Sequence, residues 1–379
     1  MRIRPSVLCG IAALAVGGLI TGPAALGATN RPAAPSSPAI VGHIAYLTAK
    51  DTVELATVES NGTTTGARRI GPVTLVTSTD TVQVDDLIAS GDGAWLAWQE
   101  QVFKHNGDLL KTVLVLRHES DGQDFALDTV QSPLGFAGDQ LVTSDANSTR
   151  RVSVQPTMHL IKVNDHAFPL AAYPHGVVDG PSYLAPKGPA QTWRVRLTSF
   201  GGKHTTLHDY VLGPTNYRNP DAAWVSGDGK RLVIERGNHQ DFGGLGPSSL
   251  ADEFVLGGGH ARGQLGHYGT DSQAWRIGSV SFSGASDSVW AMWERLTKTG
   301  ATSVVAQREH GAWMLIAGHG IAVAGNHQGY VIVQPGKLVL VNPDVQGYST
   351  VPTRHAELRH GSSSVSLNAE GTTFVWVSG

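Results

Sequence analysis

From Ile40 onward the apolar residues fall in runs of four to eight, rich in Val, Ile, Leu, Trp and Thr, and each run stops at Gly, Asp, Asn or Ser. No stretch keeps the spacing of an amphipathic helix, so the pattern predicts strands and turns throughout. One strand–turn–strand unit recurs. Its fullest copies are Ser90-Gly91-Asp92-Gly93-Ala94-Trp95-Leu96-Ala97-Trp98 and Ser226-Gly227-Asp228-Gly229-Lys230-Arg231-Leu232-Val233-Ile234. Gly at such a turn supplies positive φ, and the Asp before it can bond nearby amides, so the strands reverse tightly. Asn368 to Trp376 keeps the glycine but has Glu370 in place of Asp, and weaker copies begin at Gly138, Gly180, Ser286 and His327.

The first apolar residue of each second strand marks the repeat: Leu96, Leu141, Tyr183, Leu232, Val289, Tyr330 and Phe374. The intervals are 45, 42, 49, 57, 41 and 44 residues. Strand-only repeats of about 40–50 residues are the expectation for propeller blades of four strands. The predicted fold is therefore an all-β β-propeller of seven blades over residues 40–379. Counting Ile44 as a further marker gives eight as the alternative. The last copy stops two strands short at Gly379, and residues 43–58 hold a spare hairpin, so strands from both chain ends are expected to share one blade and hide the sheet edges. Trp95, Trp98, Trp224, Trp290, Trp293 and Trp376 adjoin the turn markers and are expected to pack blade against blade.

Composition adds the setting. Glycine, 46 of 379 residues, is enriched and agrees with many turns, while charged residues are only 16%. Arg2 and Arg4, the charge-free stretch Val7 to Ile20 and the small residues Ala24 to Ala28 predict an export signal over residues 1–28. An uncleaved anchor is the alternative, weakened by Gly17, Gly18, Gly22 and Pro23. Residues 29–39, TNRPAAPSSPA, read as an extended linker. Removing Arg2 and Arg4 with the signal takes the net charge from −3 to −5, and no Lys/Arg footprint is concentrated anywhere, so nucleic acid is not an expected partner. Cys9 is the single cysteine and lies in the signal; the mature domain would be held by its core alone. These features predict a secreted, extracytoplasmic monomer with no membrane span once the signal is removed.

At Ser90 to Trp98 and Ser226 to Ile234 the pattern resembles the propeller repeat of the periplasmic TolB family, also found in the propellers of prolyl-oligopeptidase-type enzymes. The resemblance spans about ten residues per copy and implies a fold rather than an activity. The Gly-x-Ser-x-Gly elbow of the hydrolase domain in those enzymes is absent. The Ser-x-Asp-x-Gly-x-x-Trp box of sialidases is not matched either, because Gly93 directly follows Asp92 and Trp95 comes two residues early.

Candidate chemistry is sparse. There are 16 histidines, but no HExxH, no EF-hand run and no P-loop, so metal and cofactor use are left open. His204 and His208 stand four apart in a strand, about 13 Å by strand rise, too far to share a metal. Asp51, Asp85 and Asp86 would act as acids only with partners that the fold brings to them. The 57-residue interval departs from the repeat and is rich in glycine; long loops on a rigid scaffold are where binding residues gather. His239, Asp241, His260, Arg262, His267 and Asp271 in that interval are the candidate ligand-binding residues. The functional expectation is a non-catalytic module binding a protein or glycan ligand of the cell envelope or medium. The alternative is a secreted hydrolase or lyase acting on a carbohydrate polymer at the channel mouth.

Overall fold

The computed structural model describes residues 40–377 other than 49, 60–62, 146–147, 166, 182–190, 213–218, 227, 238–248, 257–259, 270–274, 283–288, 298–299, 310–311, 319–321, 326–329, 335–336, 343–353, 358, 361–362 and 365–373. The expected signal and linker lie outside the described residues. Six sheets are each built from four consecutive antiparallel strands. The first holds β4 (Thr81–Ala89), β5 (Trp95–Phe103), β6 (Leu109–His118) and β7 (Gln123–Asp128), and the second β8 (Ser132–Ala137), β9 (Gln140–Ser144), β10 (Ser148–Ser153) and β11 (His159–Asp165). Next come β12 (Phe168–Tyr173), β13 (Gly176–Gly180), β14 (Gln191–Ser199) and β15 (His204–Leu212), then β16 (Asn219–Val225), β17 (Arg231–Gly237), β18 (Leu250–Val255) and β19 (His260–Gly266). The last two comprise β20 (Arg276–Phe282), β21 (Val289–Thr297), β22 (Gly300–Glu309) and β23 (Ala312–Gly318), and β24 (Ala322–Gly325), β25 (Tyr330–Gln334), β26 (Lys337–Asn342) and β27 (Arg354–Glu357). One more sheet is shared by the two chain ends: β1 (Ile40–Leu47), β2 (Val53–Glu59) and β3 (Thr64–Arg69) with β30 (Phe374–Val377) inside β1. A short ribbon, β28 (Arg359–His360) with β29 (Ser363–Ser364), completes the described strands.

The innermost strands touch in cyclic order, β4 to β8, β12, β16, β20, β24, β30 and back to β4. The fold is a closed all-β propeller. Three details of the expected repeat change. Phe374 opens an innermost strand rather than a second strand, so the shared sheet takes one strand from the C-terminal side and three from the N-terminal side, not two and two. Ile44 lies on β1 of that same sheet, which removes the eight-unit alternative. Tyr183 lies outside the described residues; the inner hairpin of its sheet turns at Pro174-His175, with Tyr173 opposite Gly176. Gly180, expected at the turn, instead lies flat against the Trp193 indole, where an added Cβ would fall inside the ring.

The turn chemistry behind the repeat is repeated atom for atom. Ser90 Oγ donates to Asp92 Oδ1 at 2.6 Å and accepts from Trp95 N at 2.9 Å, while Asp92 Oδ1 accepts from Ala94 N at 3.0 Å. Ser226 and Asp228 do the same with Arg231 N at 2.9 Å and Lys230 N at 3.1 Å. Gly93 and Gly229 hold φ of 70° and 67°, which a side chain would strain. Between sheets the core is aliphatic and indole: Trp98, Trp193, Trp290 and Trp293 are fully buried. At about 25 cal/mol per Å2, an indole burying roughly 150–250 Å2 contributes about 4–6 kcal/mol before entropy is charged.

Each innermost strand has one unpaired edge facing the axis, so proline is tolerated there. Pro133, Pro169 and Pro220 occupy it, and after each the ladder slips by one residue, at Leu134, Leu170 and Asp221. The β4–β5 ladder slips at Asp86-Leu87, and the β20–β21 ladder at Gly278. Such bulges re-aim side chains next to the axis.

Candidate functional site

The structure separates the candidates of the Gly-rich interval. His239, Asp241 and Asp271 lie outside the described residues. His260 and Arg262 are in β19, whose start faces Val255 at the far end of β18 from Leu250. His267, half-buried, follows β19 at its other end. Of the three described candidates, His260 and Arg262 lie in the first half of β19 and His267 just past its end, so His260 and His267 stand at opposite ends of that strand. In sequence the long interval reads as one loop, but it holds the strands β18, β19 and β20. His204 and His208 both lie on β15, His204 Nδ1 bonded to Thr198 Oγ1 at 2.8 Å and His208 edge-on to Tyr210 at 4.5 Å between ring centres. Among the described residues no three His, Asp or Glu side chains are placed to share a metal ion.

What the fold does gather is the Asp51, Asp85 and Asp86 set. Asp51 closes the β1–β2 turn, Asp85 is the last paired residue before the slip in β4, and Asp86 is the first residue of the slip. Strand neighbours ordinarily point to opposite faces, but Asp86 takes a left-handed φ of 55°, and Asp51 one of 53°. Both carboxyls are held above the ordinary carboxylate range, first by loss of hydration and then by the charge of Asp85. Ser132, at the start of the next innermost strand, bonds Asp86 and partly offsets this, and Gln83 Nε2 reaches Asp85 at 3.4 Å. Asp86 nonetheless keeps an exposed surface. Among the described residues no Lys, Arg or His forms an ion pair with these three acids.

The β4–β7 sheet also carries an apolar rim. The strands β4, β5 and β6 run nine, nine and ten residues, against six, five and six for β8, β9 and β10. At the end where β4 begins, Leu75 is 97% exposed, Val130 78%, Leu109 54%, Leu110 50% and Val76 41%. Leu75 and Val76 precede β4, Leu109 and Leu110 open β6, and Val130 follows β7, so all five crown one end of one sheet. Their support is polar and buried. Glu100, with no exposed surface, accepts Val73 N at 2.8 Å, Thr74 N at 2.9 Å and Trp98 Nε1 at 2.8 Å. That carboxylate pins the segment from which Leu75 projects.

Two other buried acids tie sheets together. Asp179, fully buried, accepts Asn164 Nδ2 at 2.8 Å, Arg196 Nε at 3.0 Å and Thr198 Oγ1 at 2.6 Å. Glu235 Oε1 accepts Ile277 N at 3.0 Å across the seam to β20, with Asp221 beside it. None of these acids is expected from the sequence. The signal is an acid inside an apolar second strand: Gln99-Glu100 after Leu96-Ala97-Trp98, Val178-Asp179, and Ile234-Glu235.

No family model matches the sequence, and no curated protein does. Solved structures share the fold. A protein from Lactobacillus plantarum aligns over 88% of this chain and 99% of its own, with TM-score 0.51 and 11% identity. A Bacteroides uniformis protein provisionally assigned as a 6-phosphogluconolactonase aligns over 89% and 99%, with TM-score 0.50 and 11% identity. At this identity the likeness is one of fold.

Proposed function

We propose that the chain is an exported binding module that takes a protein partner, and that its docking surface is the rim of the β4–β7 sheet with the acids at its foot. Counted with the shared sheet, the ring has seven blades. The observation that carries the reading is the set of five exposed apolar side chains at one end of the β4–β7 sheet, whose innermost strand also carries Asp85 and Asp86. Exposed apolar clusters of this kind mark interaction surfaces. The repulsion that penalises ionisation of Asp51 and Asp86 is the field that would attract a cation, so the partner segment is apolar and basic. The resemblance to TolB-type repeats and the expected export signal support a setting outside the cytoplasm.

The test is a fluorescence-polarisation panel on the chain without residues 1–39. It compares a peptide alternating Leu with Lys, the same peptide with Glu for Lys, one with Ser for Leu, and neutral oligosaccharides. The Leu/Lys peptide is expected to bind, weakening with salt, and to lose at least tenfold affinity in Leu75→Ser and in Asp86→Asn. Equal binding of all peptides, or of none, refutes the reading; binding of the oligosaccharides instead assigns a glycan ligand.

A further inference from the structure

Each four-stranded sheet of the ring ends on an outermost strand whose far edge has no neighbour in its own sheet. Proteins blunt such edges with bulges, and here the ladders of β3, β11, β15, β19 and β23 are each interrupted by a slip. β27 pairs without a slip, but over only four residues. β7 is different: all six of its residues, Gln123 to Asp128, pair with β6 in unbroken register. Among the described residues it is the longest regular edge on the ring, and no strand pairs with its outer side.

Two bonds fix which backbone groups that edge offers. Thr129 N, just past β7, donates to Thr112 O at 3.0 Å, and Glu119 N, just past β6, donates the other way, to Ala94 O at 2.9 Å. Backbone polar groups along a strand point alternately to its two sides. Gln123, Phe125 and Leu127 therefore turn theirs to β6, in step with Thr129. The N–H and C=O of Asp124, Ala126 and Asp128 point outward, and all three residues are exposed. Their side chains share one face of the sheet, while Phe125 and Leu127, half-buried, share the other.

The two acids select the occupant. Asp128 is 71% exposed, and Lys111 Nζ stands 3.8 Å from it on an exposed side chain; Asp124 Oδ1 takes Arg117 Nη1 at 2.8 Å. Ion pairs as exposed as that of Asp128 are weak and leave the carboxylate open to another cation. A second copy of β7 fits poorly. Paired antiparallel about Ala126, it would set each Asp124 directly against an Asp128, and like charges directly opposite repel. A strand of alternating basic and apolar residues matches both faces, with its basic residues opposite Asp124, Ala126 and Asp128 and its apolar ones opposite Phe125 and Leu127. Val130 of the exposed apolar rim lies just beyond Asp128, so edge and rim are continuous.

We infer that the apolar, basic partner binds in extended form, adding a fifth, antiparallel strand to the β4–β7 sheet along Asp124, Ala126 and Asp128. The inference rests on the docking surface proposed above and supplies its geometry. In such an arrangement main-chain bonds give affinity, and alternate side chains give selection.

Backbone methylation tests it. In an added antiparallel strand the residues opposite Asp124, Ala126 and Asp128 turn their own N–H groups to β7, and the residues between turn theirs to solvent. Fluorescence polarisation with the full chain therefore compares the Leu/Lys peptide with one N-methylated at every Lys and one N-methylated at every Leu. Methylation at Lys is expected to cost at least tenfold in affinity, and methylation at Leu less than threefold. Ala126→Pro removes an outward N–H and leaves the bonds to β6 in place, so it should also lose at least tenfold. Should that variant not fold, Asp128→Lys should weaken binding of the Leu/Lys peptide and admit its Leu/Glu counterpart. Equal losses from the two methylations, or none from either, leave the docking surface standing and overturn the added strand. Failure of the unmethylated peptide to bind overturns both.

Discussion

Glu100→Gln is isosteric, yet the structure predicts a large loss. Glu100 offers two oxygens to three donors, Val73 N and Trp98 Nε1 on Oε1 and Thr74 N on Oε2, all with the carboxylate out of water. A glutamine amide has one acceptor oxygen. Whichever way it turns, its NH2 faces a buried N–H, and the remaining bonds lose their charge assistance. Hydrogen bonds to a charged group contribute about 1.5–3 kcal/mol each, and a buried donor left unpaired costs about 1–3 kcal/mol. Destabilisation of about 3–5 kcal/mol follows, the range for breaking a buried charged network. Equilibrium urea unfolding, comparing midpoints at equal m-value, measures it. Because Glu100 pins Val73 and Thr74, the same variant should also release the segment that presents Leu75 and weaken binding of the Leu/Lys peptide. A loss below about 1 kcal/mol would show that the three donors find other partners, and would refute the reasoning.

Other outcomes follow from particular contacts. Burial, then the charge of Glu235, pushes the Asp221 carboxyl up to about 8, which lowers stability progressively as pH climbs from about 4, its ordinary range, to that value; Asp221→Asn should therefore match the wild type in acid and exceed it above pH 8. The margin is of the order of 4–6 kcal/mol, from about 1.4 kcal/mol for each pH unit between those two values, read as urea midpoints across pH. Gly180→Ala places a methyl inside the Trp193 ring and should cost about 1–3 kcal/mol or more, with altered tryptophan fluorescence. Asp92→Ala and Asp228→Ala each remove a turn acceptor; each should cost about 1 kcal/mol, and the double variant their sum, since the turns belong to different sheets.

The fold was legible where turn chemistry is explicit. Ser90-Gly91-Asp92-Gly93 and its copy at Ser226 state their geometry in residue types, and the marker residues Leu96, Leu141, Leu232, Val289 and Tyr330 all lie on second strands. Tyr183 misled because Pro174-His175 turns without an Asp-Gly pair, while Gly180-Pro181 resembles a turn but serves indole packing. Phe374 misled because a glycine before an innermost strand looks the same in sequence as one before a second strand. Sites were harder. Whether Asp51 meets Asp85 depends on the ring closing through β1 and β30, a contact across more than 300 residues that no local pattern encodes. The Gly-rich interval drew attention for its length, yet of its described histidines His260 opens β19 and His267 follows the far end of that strand.

The most direct measurement of the docking surface is a hydrogen-exchange footprint of the complex with the Leu/Lys peptide. Added protection over residues 73–80, 109–112 and 129–131, with none over 260–262, is the predicted result. Protection spread evenly around the ring, or confined to sheets other than β4–β7, would contradict the account.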